Sequence, residues 1–370
     1  MLNALSSALQ AHKQNNLVRQ RNIEQPRIDF ASSDYLGFSK HPELKQVAKE
    51  IIDELGIGSG ASAMVTGHTH YHQQLEHAVA AFTKREKAIV FTTGYMANVG
   101  ILSALVQRQD LMIQDKSCHA SLIDGAHLSR GQLLRFRHND ISHLRTLLAK
   151  YSDKKKLVVT ESVFSVHGEK APLEEIANLC MEFPTCLLVD EAHGFGVLGH
   201  GAGAVSALEL SSKQVPLVMG TFSKALGSLG GFVAGDEEAI EGILQFARSY
   251  TYSTALPPLL AGVNCKALQL LQTTPAVEKL QKGINFFEQT VKNYSLSVRP
   301  TGTAIQAITV GNVEKGLFIQ KQLQAQGIAI GLMRPPSVSS PQDTCLRIAL
   351  NACHSEQEIR EMLEAIEILL

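Results

Sequence analysis

A lysine follows two hydroxyl side chains in the segment GTFSKALG, residues 220–227 of this 370-residue chain. Small and apolar neighbours can lower the pKa of the Lys224 amine, and a neutral amine can attack a carbonyl carbon. Thr221 and Ser223 could bind an anion beside it. Taken alone, the segment fits a catalytic lysine and a solvated loop lysine equally well.

A carboxylate directly follows an apolar run in the segment LLVDEAH, residues 187–193. Burial of Asp190 is unfavourable unless it meets a cation, and the protonated ring nitrogen of pyridoxal phosphate (PLP) is such a cation. His193 lies three residues further on and could reach the phenolic oxygen of the same ring. The letters DEAH also occur in helicases, but a helicase needs a G-x-x-x-x-G-K-S/T loop, and this chain has no Gly-Lys dipeptide. We therefore exclude the helicase interpretation.

Two further polar turns follow apolar runs. In TTGYMAN, residues 92–98, a predicted strand gives way to Gly94 and Tyr95 and then to a helix, whose free N–H groups could bind phosphate. An ordinary capped helix is the alternative. His119 follows another run and could stack on a flat cofactor ring or pack in the core. Together with Lys224 and Asp190, these residues supply the groups that PLP needs, each after a different strand.

Two other patterns suggest different chemistry. The letters GFGVLG, residues 194–199, match the glycine pattern of dinucleotide-binding folds, but they lie in mid-chain, where we predict a flexible turn. His68 and His72 have the i,i+4 spacing of zinc ligands on a helix. Because no H-E-x-x-H motif accompanies them, we predict no metal site and expect His72 to pack at the start of a helix.

The secondary-structure elements that must position these residues can be predicted from the sequence. Short apolar runs of strand length alternate with segments that have helical periodicity. The predicted strands are residues 88–91, 111–114, 157–160, 186–189, 217–219 and 232–234, with helices over residues 96–105 and 173–180 among those between them. This alternation predicts an α/β fold with a mainly parallel central sheet covered by helices. Ligands bind beyond the carboxyl ends of such strands, where the residues above lie.

The flanking segments have a different pattern. Their predicted elements are a helix over residues 1–25, a strand at 28–32, a long helix at 259–294, strands at 305–310 and 345–348, and helices at 315–326 and from 355. We therefore predict an N-terminal segment (residues 1–40), a large PLP-binding α/β domain (41–258) and a small C-terminal α+β domain (259–370).

The composition is typical of a globular enzyme, with 19% charged residues, 45% hydrophobic residues and a formal net charge of -1. This balance gives no reason to expect nucleic acid or a membrane as partner. Six cysteines without a C-x-x-C pair predict free thiols. Residues 1–16 have the pattern of an amphipathic helix and not of a signal peptide, so we expect a cytoplasmic protein.

The chain resembles the α-oxoamine synthases, a family of fold type I PLP enzymes, over nearly its whole length. The motifs that carry the resemblance are SDYLG (33–37), GIGSG (56–60), DKSCHAS (115–121), TESVFS (160–165), APL (171–173), DEAHG (190–194), TFSKALG (221–227), YSTALPP (252–258) and RPP (334–336). The resemblance implies the aspartate aminotransferase-like fold of PLP-dependent transferases.

The resemblance also implies roles for individual residues. The implied catalytic residues are Lys224, which holds the cofactor and moves the Cα proton, Asp190 at the ring nitrogen, and His119 stacked on the ring. The other implied cofactor contacts are Gly94, Tyr95, Ser165, His193, Thr221 and, reaching the phosphate of the neighbouring subunit in a homodimer, Thr254. The implied substrate contacts are Arg19, His119, Ser337 and Arg347, the last of which would hold the amino-acid carboxylate.

The implied reaction is a decarboxylative condensation of L-alanine with a pimeloyl thioester, carried by acyl carrier protein or coenzyme A. The products are 8-amino-7-oxononanoate, CO2 and the free carrier, in biotin biosynthesis. One alternative within the family joins glycine to acetyl-CoA to give 2-amino-3-ketobutyrate. The alternative from another class is a binding protein that kept the fold without the activity.

The chain departs from the family pattern at three places. Ser33 replaces the usual Asn, which puts a substrate contact in question. The common FSMDGD stretch reads FSVHGE at residues 164–169, with His167 in place of Asp and therefore a changed loop charge. Ser337 replaces the usual Thr and keeps the hydroxyl.

Overall fold

A computed structural model describes residues 1–14, 17–19, 21, 23 and 25–370. The strands are β1 (Ile28–Phe30), β2 (Lys87–Phe91), β3 (Leu111–Asp115), β4 (Gln132–Phe136), β5 (Lys156–Glu161), β6 (Cys186–Asp190), β7 (Leu217–Thr221), β8 (Gly231–Gly235), β9 (Ile305–Thr309), β10 (Ile328–Met333) and β11 (Cys345–Ala349). The helices are α1 (Leu2–Gln14), α2 (Pro42–Leu55), α3 (His70–Thr83), α4 (Gly94–Leu105), α5 (Ala120–Ser129), α6 (Ile141–Lys150), α7 (Leu173–Glu182), α8 (Ala204–Ala207), α9 (Glu237–Phe246), α10 (Arg248–Thr251), α11 (Pro258–Thr273), α12 (Ala276–Thr290), α13 (Val313–Ala325) and α14 (Glu356–Leu369).

By internal contacts the chain divides into two compact units, and their boundaries differ from those predicted at residues 40 and 258. The small unit comprises residues 1–33, 166–168 and 279–370, and the large unit comprises residues 34–165 and 169–278. The N-terminal strand joins the small unit because β1 pairs in parallel with β10. Helix α11 joins the large unit because it packs on α2 so closely that a Cβ on Gly262 would lie 2.1 Å from Ile51 Cδ1.

The large unit is built on a seven-stranded sheet in the order β2-β8-β7-β6-β5-β3-β4. Strand β8 is antiparallel to both of its neighbours, and the others run parallel. Along β6, Leu188 faces one buried apolar cluster, and Leu187 and Val189 face another. Both faces of the sheet are therefore covered, as a mainly parallel sheet requires. The predicted α/β architecture and its six strands are confirmed.

Strand β4 is the element of this sheet that sequence reasoning missed. It lies at the sheet edge, where Gln132 and Arg135 are exposed and Leu133 and Leu134 are half-buried. Because exposed polar side chains flank the half-buried leucines, this edge strand lacks the continuous apolar run that marks a fully buried parallel strand.

The small unit contains a four-stranded sheet in the order β1-β10-β11-β9. Two helix predictions that involve this unit were wrong. The helix predicted over residues 259–294 is two helices, because Pro275 lacks an N–H and ends α11 two residues earlier. Of the helix predicted over residues 1–25, Leu2–Gln14 is helical and residues 17–19 are not, while residues 15, 16, 20, 22 and 24 lie outside the described residues. Among the described residues, no helix combines the length and apolar character needed to cross a membrane.

Candidate active site

The carboxylate of Asp190 is buried at the carboxyl end of β6, in the centre of the sheet. One of its oxygens accepts a hydrogen bond of 2.8 Å from Asn98 Nδ2, and the other accepts one of 2.8 Å from the Ala192 N–H. Both donors are neutral, and each carboxylate oxygen can accept a further bond. A buried carboxylate with neutral donors suits a cationic N–H donor such as the pyridinium of PLP.

Asn98 connects Asp190 to the predicted stacking histidine. Its Nδ2 also donates to Ser121 Oγ at 2.9 Å, and Ser121 Oγ lies 2.8 Å from His119 Nδ1. The backbone N–H of His119 donates a hydrogen bond of 2.5 Å to Glu161 Oε1. The sequence predicted His119 and Asp190 separately and missed Asn98, whose signal is one buried amide inside an apolar helix.

The charges at this site influence each other. Burial lowers the pKa of His119, and the positive charge of Lys224 lowers it further, while Asp190 opposes the shift. Burial and the Asp190 charge raise the pKa of Glu161 to about 8, and Lys224 opposes that rise. Lys224 therefore lies within electrostatic reach of both side chains. Because its pKa lies below the ordinary value of 6.5, the His119 ring is mainly uncharged at neutral pH.

The start of α4 forms a cradle with the end of β7. Thr93 caps the helix by accepting the Met96 N–H at 3.1 Å, which leaves the first N–H groups of the helix facing outward. A Cβ on Gly94 would lie 3.0 Å from Met219 Cε and 3.3 Å from Thr221 Cβ. The hydroxyl of Thr221 donates to the Gly230 carbonyl at 2.7 Å. This cradle suits a phosphate group.

We expect Gly94→Ala to weaken PLP binding about tenfold, because the added methyl group crowds the cradle at a cost of about 1–3 kcal/mol. The measurement is an absorbance titration of the protein with PLP. Gly242→Ala is the matched control, since Gly242 also lies in a helix and has no atom within 4 Å of an added Cβ. Equal PLP affinity of Gly94→Ala and wild type would contradict this role.

Two other predicted cofactor contacts have fixed surroundings. Tyr35, which is fully buried, places its hydroxyl 2.6 Å from His193 Nδ1 and so orients that ring. The hydroxyl of Tyr95 donates to the Asp124 carboxylate, and its ring lies edge-on to His119, with centroids 6.5 Å apart. Sequence reasoning included Tyr35 in a motif but did not predict it as the partner of His193.

The two remaining predicted contacts of the large unit lie in loops. Ser165 is half-buried in a loop whose base is closed by a 3.0 Å hydrogen bond from the Phe164 N–H to the Glu169 carbonyl. The carbonyl of Thr254 accepts a hydrogen bond of 2.9 Å from the Thr92 hydroxyl. Thr254 is thereby held beside the turn that leads into α4.

The other three predicted substrate contacts belong to the small unit. Arg347 is buried on β11, paired in register with Gly331 of β10. The structure brings Arg19 and Ser337 together, with Arg19 Nη2 donating to Ser337 Oγ at 3.2 Å. Beside them, Arg334 Nη2 donates to the Val18 carbonyl at 2.8 Å.

The histidine pair that suggested a metal site has a structural role. His72 Nδ1 accepts the Thr69 N–H at 3.1 Å as part of a capping box, and its Nε2 lies 2.6 Å from the Leu256 carbonyl. The prediction that His72 packs at a helix start is confirmed. His68 pairs with Glu76 at 3.1 Å. The described residues contain no group of three or more side chains that could hold a metal ion.

Comparison with known proteins places this arrangement in a family. Residues 25–366 match the family model for aminotransferase class I and II. The chain belongs to this family. It is 43% identical to the 8-amino-7-oxononanoate synthase of Saccharophagus degradans, over 92% of this chain and 86% of the relative. The predicted resemblance to α-oxoamine synthases is confirmed.

Solved structures of this family support the same fold. The 8-amino-7-oxononanoate synthase from Francisella tularensis matches with a TM-score of 0.81 and 33% identity, over 92% of this chain and 97% of that one. A serine palmitoyltransferase from S. paucimobilis with PLP and myriocin bound matches with a TM-score of 0.91 and 28% identity, over 99% of this chain and 96% of that one. The predicted fold class, a fold type I PLP-dependent transferase, is confirmed.

Proposed function

We propose that this chain is a PLP-dependent acyltransferase that condenses L-alanine with a pimeloyl thioester to give 8-amino-7-oxononanoate, CO2 and the free carrier. The observation that carries the proposal is the hydrogen-bonded chain from Asp190 through Asn98 and Ser121 to His119, with Lys224 in electrostatic reach. The 43% identity to an 8-amino-7-oxononanoate synthase supports the specific reaction, a step of biotin biosynthesis.

The cofactor would be held by groups from three strand ends. When bound, PLP supplies an aldehyde and a ring that withdraws electrons from the amino-acid Cα. The Lys224 amine would hold the aldehyde carbon, and Asp190 would accept the ring N–H. The N–H groups of Gly94 and Tyr95 would bind the phosphate at the start of α4, in the cradle that Thr221 helps to form.

The side chains around the ring have complementary tasks. A neutral His119 can stack on the ring without desolvating a charge. His193, oriented by Tyr35, and Ser165 would bind the ring oxygen region. Lys224 Nζ would take the Cα proton of alanine and later return a proton to the same carbon.

The substrate carboxylate requires a cation, and the resemblance to the α-oxoamine synthases implies that Arg347 would supply it. A buried guanidinium is stabilised by an anionic partner in planar, bidentate geometry. Condensation forms a bond from alanine Cα to the thioester carbonyl carbon and breaks the C–S bond, so the thiol carrier leaves. The product is a β-keto acid, which then loses the former alanine carboxylate as CO2.

We also propose that the active unit is a homodimer in which Thr254 reaches the phosphate of the neighbouring subunit. This proposal rests on the resemblance of the segment YSTALPP (252–258) to the α-oxoamine synthase motif. Within one chain, the 2.9 Å hydrogen bond from the Thr92 hydroxyl fixes the Thr254 carbonyl. The cytoplasmic location stays a prediction from the sequence.

A basic groove in the small unit supports an anionic acyl carrier. Its volume is about 820 Å³, and the described residues that line it include four cations and no Asp or Glu. These cations are Lys13, Arg19, Lys321 and Arg334. Burial and the charge of Arg19 lower the pKa of Arg334, and its Nη1 is buried without a hydrogen-bond partner among the described residues. The phosphate-bearing arm common to coenzyme A and acyl carrier protein would supply the missing anion.

We expect Lys321→Ala to raise the KM for pimeloyl-CoA about tenfold, the effect of losing one charge-assisted hydrogen bond. The KM for pimeloyl-N-acetylcysteamine, a thioester without phosphate, should not change. Lys315→Ala is the control, since Lys315 lies on the same helix and instead binds the Leu370 carbonyl. Equal increases in KM for both thioesters would contradict a phosphate role.

Thiol release from matched substrate pairs tests the function against its alternatives. Purified protein with PLP should release coenzyme A from pimeloyl-CoA with L-alanine, and much more slowly from acetyl-CoA with glycine. The reverse preference would support the 2-amino-3-ketobutyrate ligase alternative. A protein that binds no PLP would support the non-catalytic alternative and refute the proposal.

A further inference from the structure

A histidine of the large unit lies between two carboxylates, outside the cluster that would contact the cofactor. His138 follows β4, with its Nδ1 2.9 Å from Asp115 Oδ1 and its Nε2 3.0 Å from Glu169 Oε1. Carboxylates only accept hydrogen bonds when ionised, so a ring that donates from both nitrogens is an imidazolium. Asp115 is fully buried, and a cation beside it offsets the unfavourable burial of its charge.

The two carboxylates belong to two different segments at the carboxyl edge of the sheet. Asp115 ends β3, and its oxygens also accept the N–H groups of Ser117 at 2.7 Å and Asn139 at 2.9 Å. These bonds fix the turn that leads to His119, which we call the His119 turn (residues 115–119).

Glu169 closes the second segment, the Ser165 loop (residues 164–169). Its carbonyl accepts the Phe164 N–H at 3.0 Å, and a bridge between Val163 and Lys170 lies just outside the loop. The ring of His138 also packs edge-on against Phe164, with centroids 4.4 Å apart. His138 thus contacts both ends of the loop base.

We propose that His138 is a positioning residue, whose imidazolium ties the His119 turn to the Ser165 loop and so fixes two side chains that would contact PLP. It acts through Asp115 and Glu169. The inference rests on the proposed function, because PLP binding is its main readout.

The charge state of His138 makes the tie depend on pH. Burial lowers the pKa of His138, but the hydrogen bonds that it donates to Asp115 and Glu169 outweigh burial and raise the pKa to about 9. Those two carboxylates are the charged groups that influence His138 within the described chain. A raised folded-state pKa contributes stability that is complete below the ordinary value of 6.5 and is lost as pH rises through about 9. Deprotonation would leave two carboxylates around a neutral ring.

We expect His138→Gln to raise the PLP dissociation constant at least about tenfold at pH 7, measured by absorbance titration. Wild-type affinity should fall as pH rises through about 9, and the variant should lack that additional fall. All other groups are the same in both proteins, so the difference between the two curves reports His138. His127→Gln is the control, because His127 is an exposed histidine on α5.

Glu169→Gln keeps the Asp115–His138 pair and provides a milder test if His138→Gln does not fold. It should weaken PLP binding less and move the alkaline fall to lower pH, since one of the two carboxylates that raise the pKa is gone. Variants that bind PLP like wild type, or more weakly with an unchanged pH dependence, would overturn the positioning role. Wild-type protein that binds no PLP would refute the proposed function, and this inference with it.

Discussion

Lys224→Ala is expected to lower kcat by at least about 10³-fold, because it removes both the amine that holds the cofactor and the base that moves the Cα proton. The absorbance of the PLP-lysine linkage should also disappear. Turnover and the visible spectrum of the purified variant provide the measurements. The fold should survive, since alanine is compatible with the small, apolar segment ALG that follows position 224.

Lys213→Ala is the matched control, because Lys213 is an exposed lysine in the turn before β7. It should retain both wild-type turnover and the spectrum. A Lys224→Ala protein that keeps most of its turnover would show that another amine does the chemistry. That result would remove Lys224 from the proposed active site, which also contains Asp190.

Asp190→Asn is expected to lower kcat by about 10²–10³-fold, the usual effect of removing one preorganised electrostatic partner. Asn has the same shape but no charge, so it cannot keep the ring nitrogen protonated. Its amide would also face a donor, either Asn98 Nδ2 or the Ala192 N–H, in place of one carboxylate oxygen. We expect weaker PLP binding as well, measured by titration.

The neighbouring carboxylate provides a comparison for Asp190→Asn. Glu191 is also buried, and it accepts hydrogen bonds from Ser162 Oγ at 2.6 Å and from the Val205 N–H at 2.7 Å. Glu191→Gln should therefore cost about 1–3 kcal/mol in the free energy of unfolding while leaving kcat near wild type. If both variants lose stability and turnover in the same proportion, Asp190 has only a structural role.

The strand ends could be predicted from the sequence because each leaves a local pattern. An apolar run followed by Asp190 or by Gly94 and Tyr95 marks the carboxyl edge of a parallel sheet, and the topology of such a sheet brings those ends together. The hydrogen bond from Asn98 to Asp190 joins residues from α4 and β6. Contacts of that kind depend on how the helix packs, and they have no periodic signal.

Two other site features escaped prediction for the same reason. Tyr35 and His193 are 158 positions apart in the chain and meet only in the folded large unit. His138 follows β4, an edge strand that was not predicted because its exposed residues interrupt the apolar run. The break at Pro275 did have a local signal, because proline in a helix interior removes a hydrogen bond and clashes with the preceding turn.

Mass spectrometry of the product tests the central claim most directly. L-Alanine labelled with ¹³C in its carboxyl group is incubated with pimeloyl-CoA, PLP and the purified protein. The account predicts unlabelled 8-amino-7-oxononanoate, with the label released as CO2. A product that retains the label, or the absence of this product from a protein that binds PLP, would contradict it.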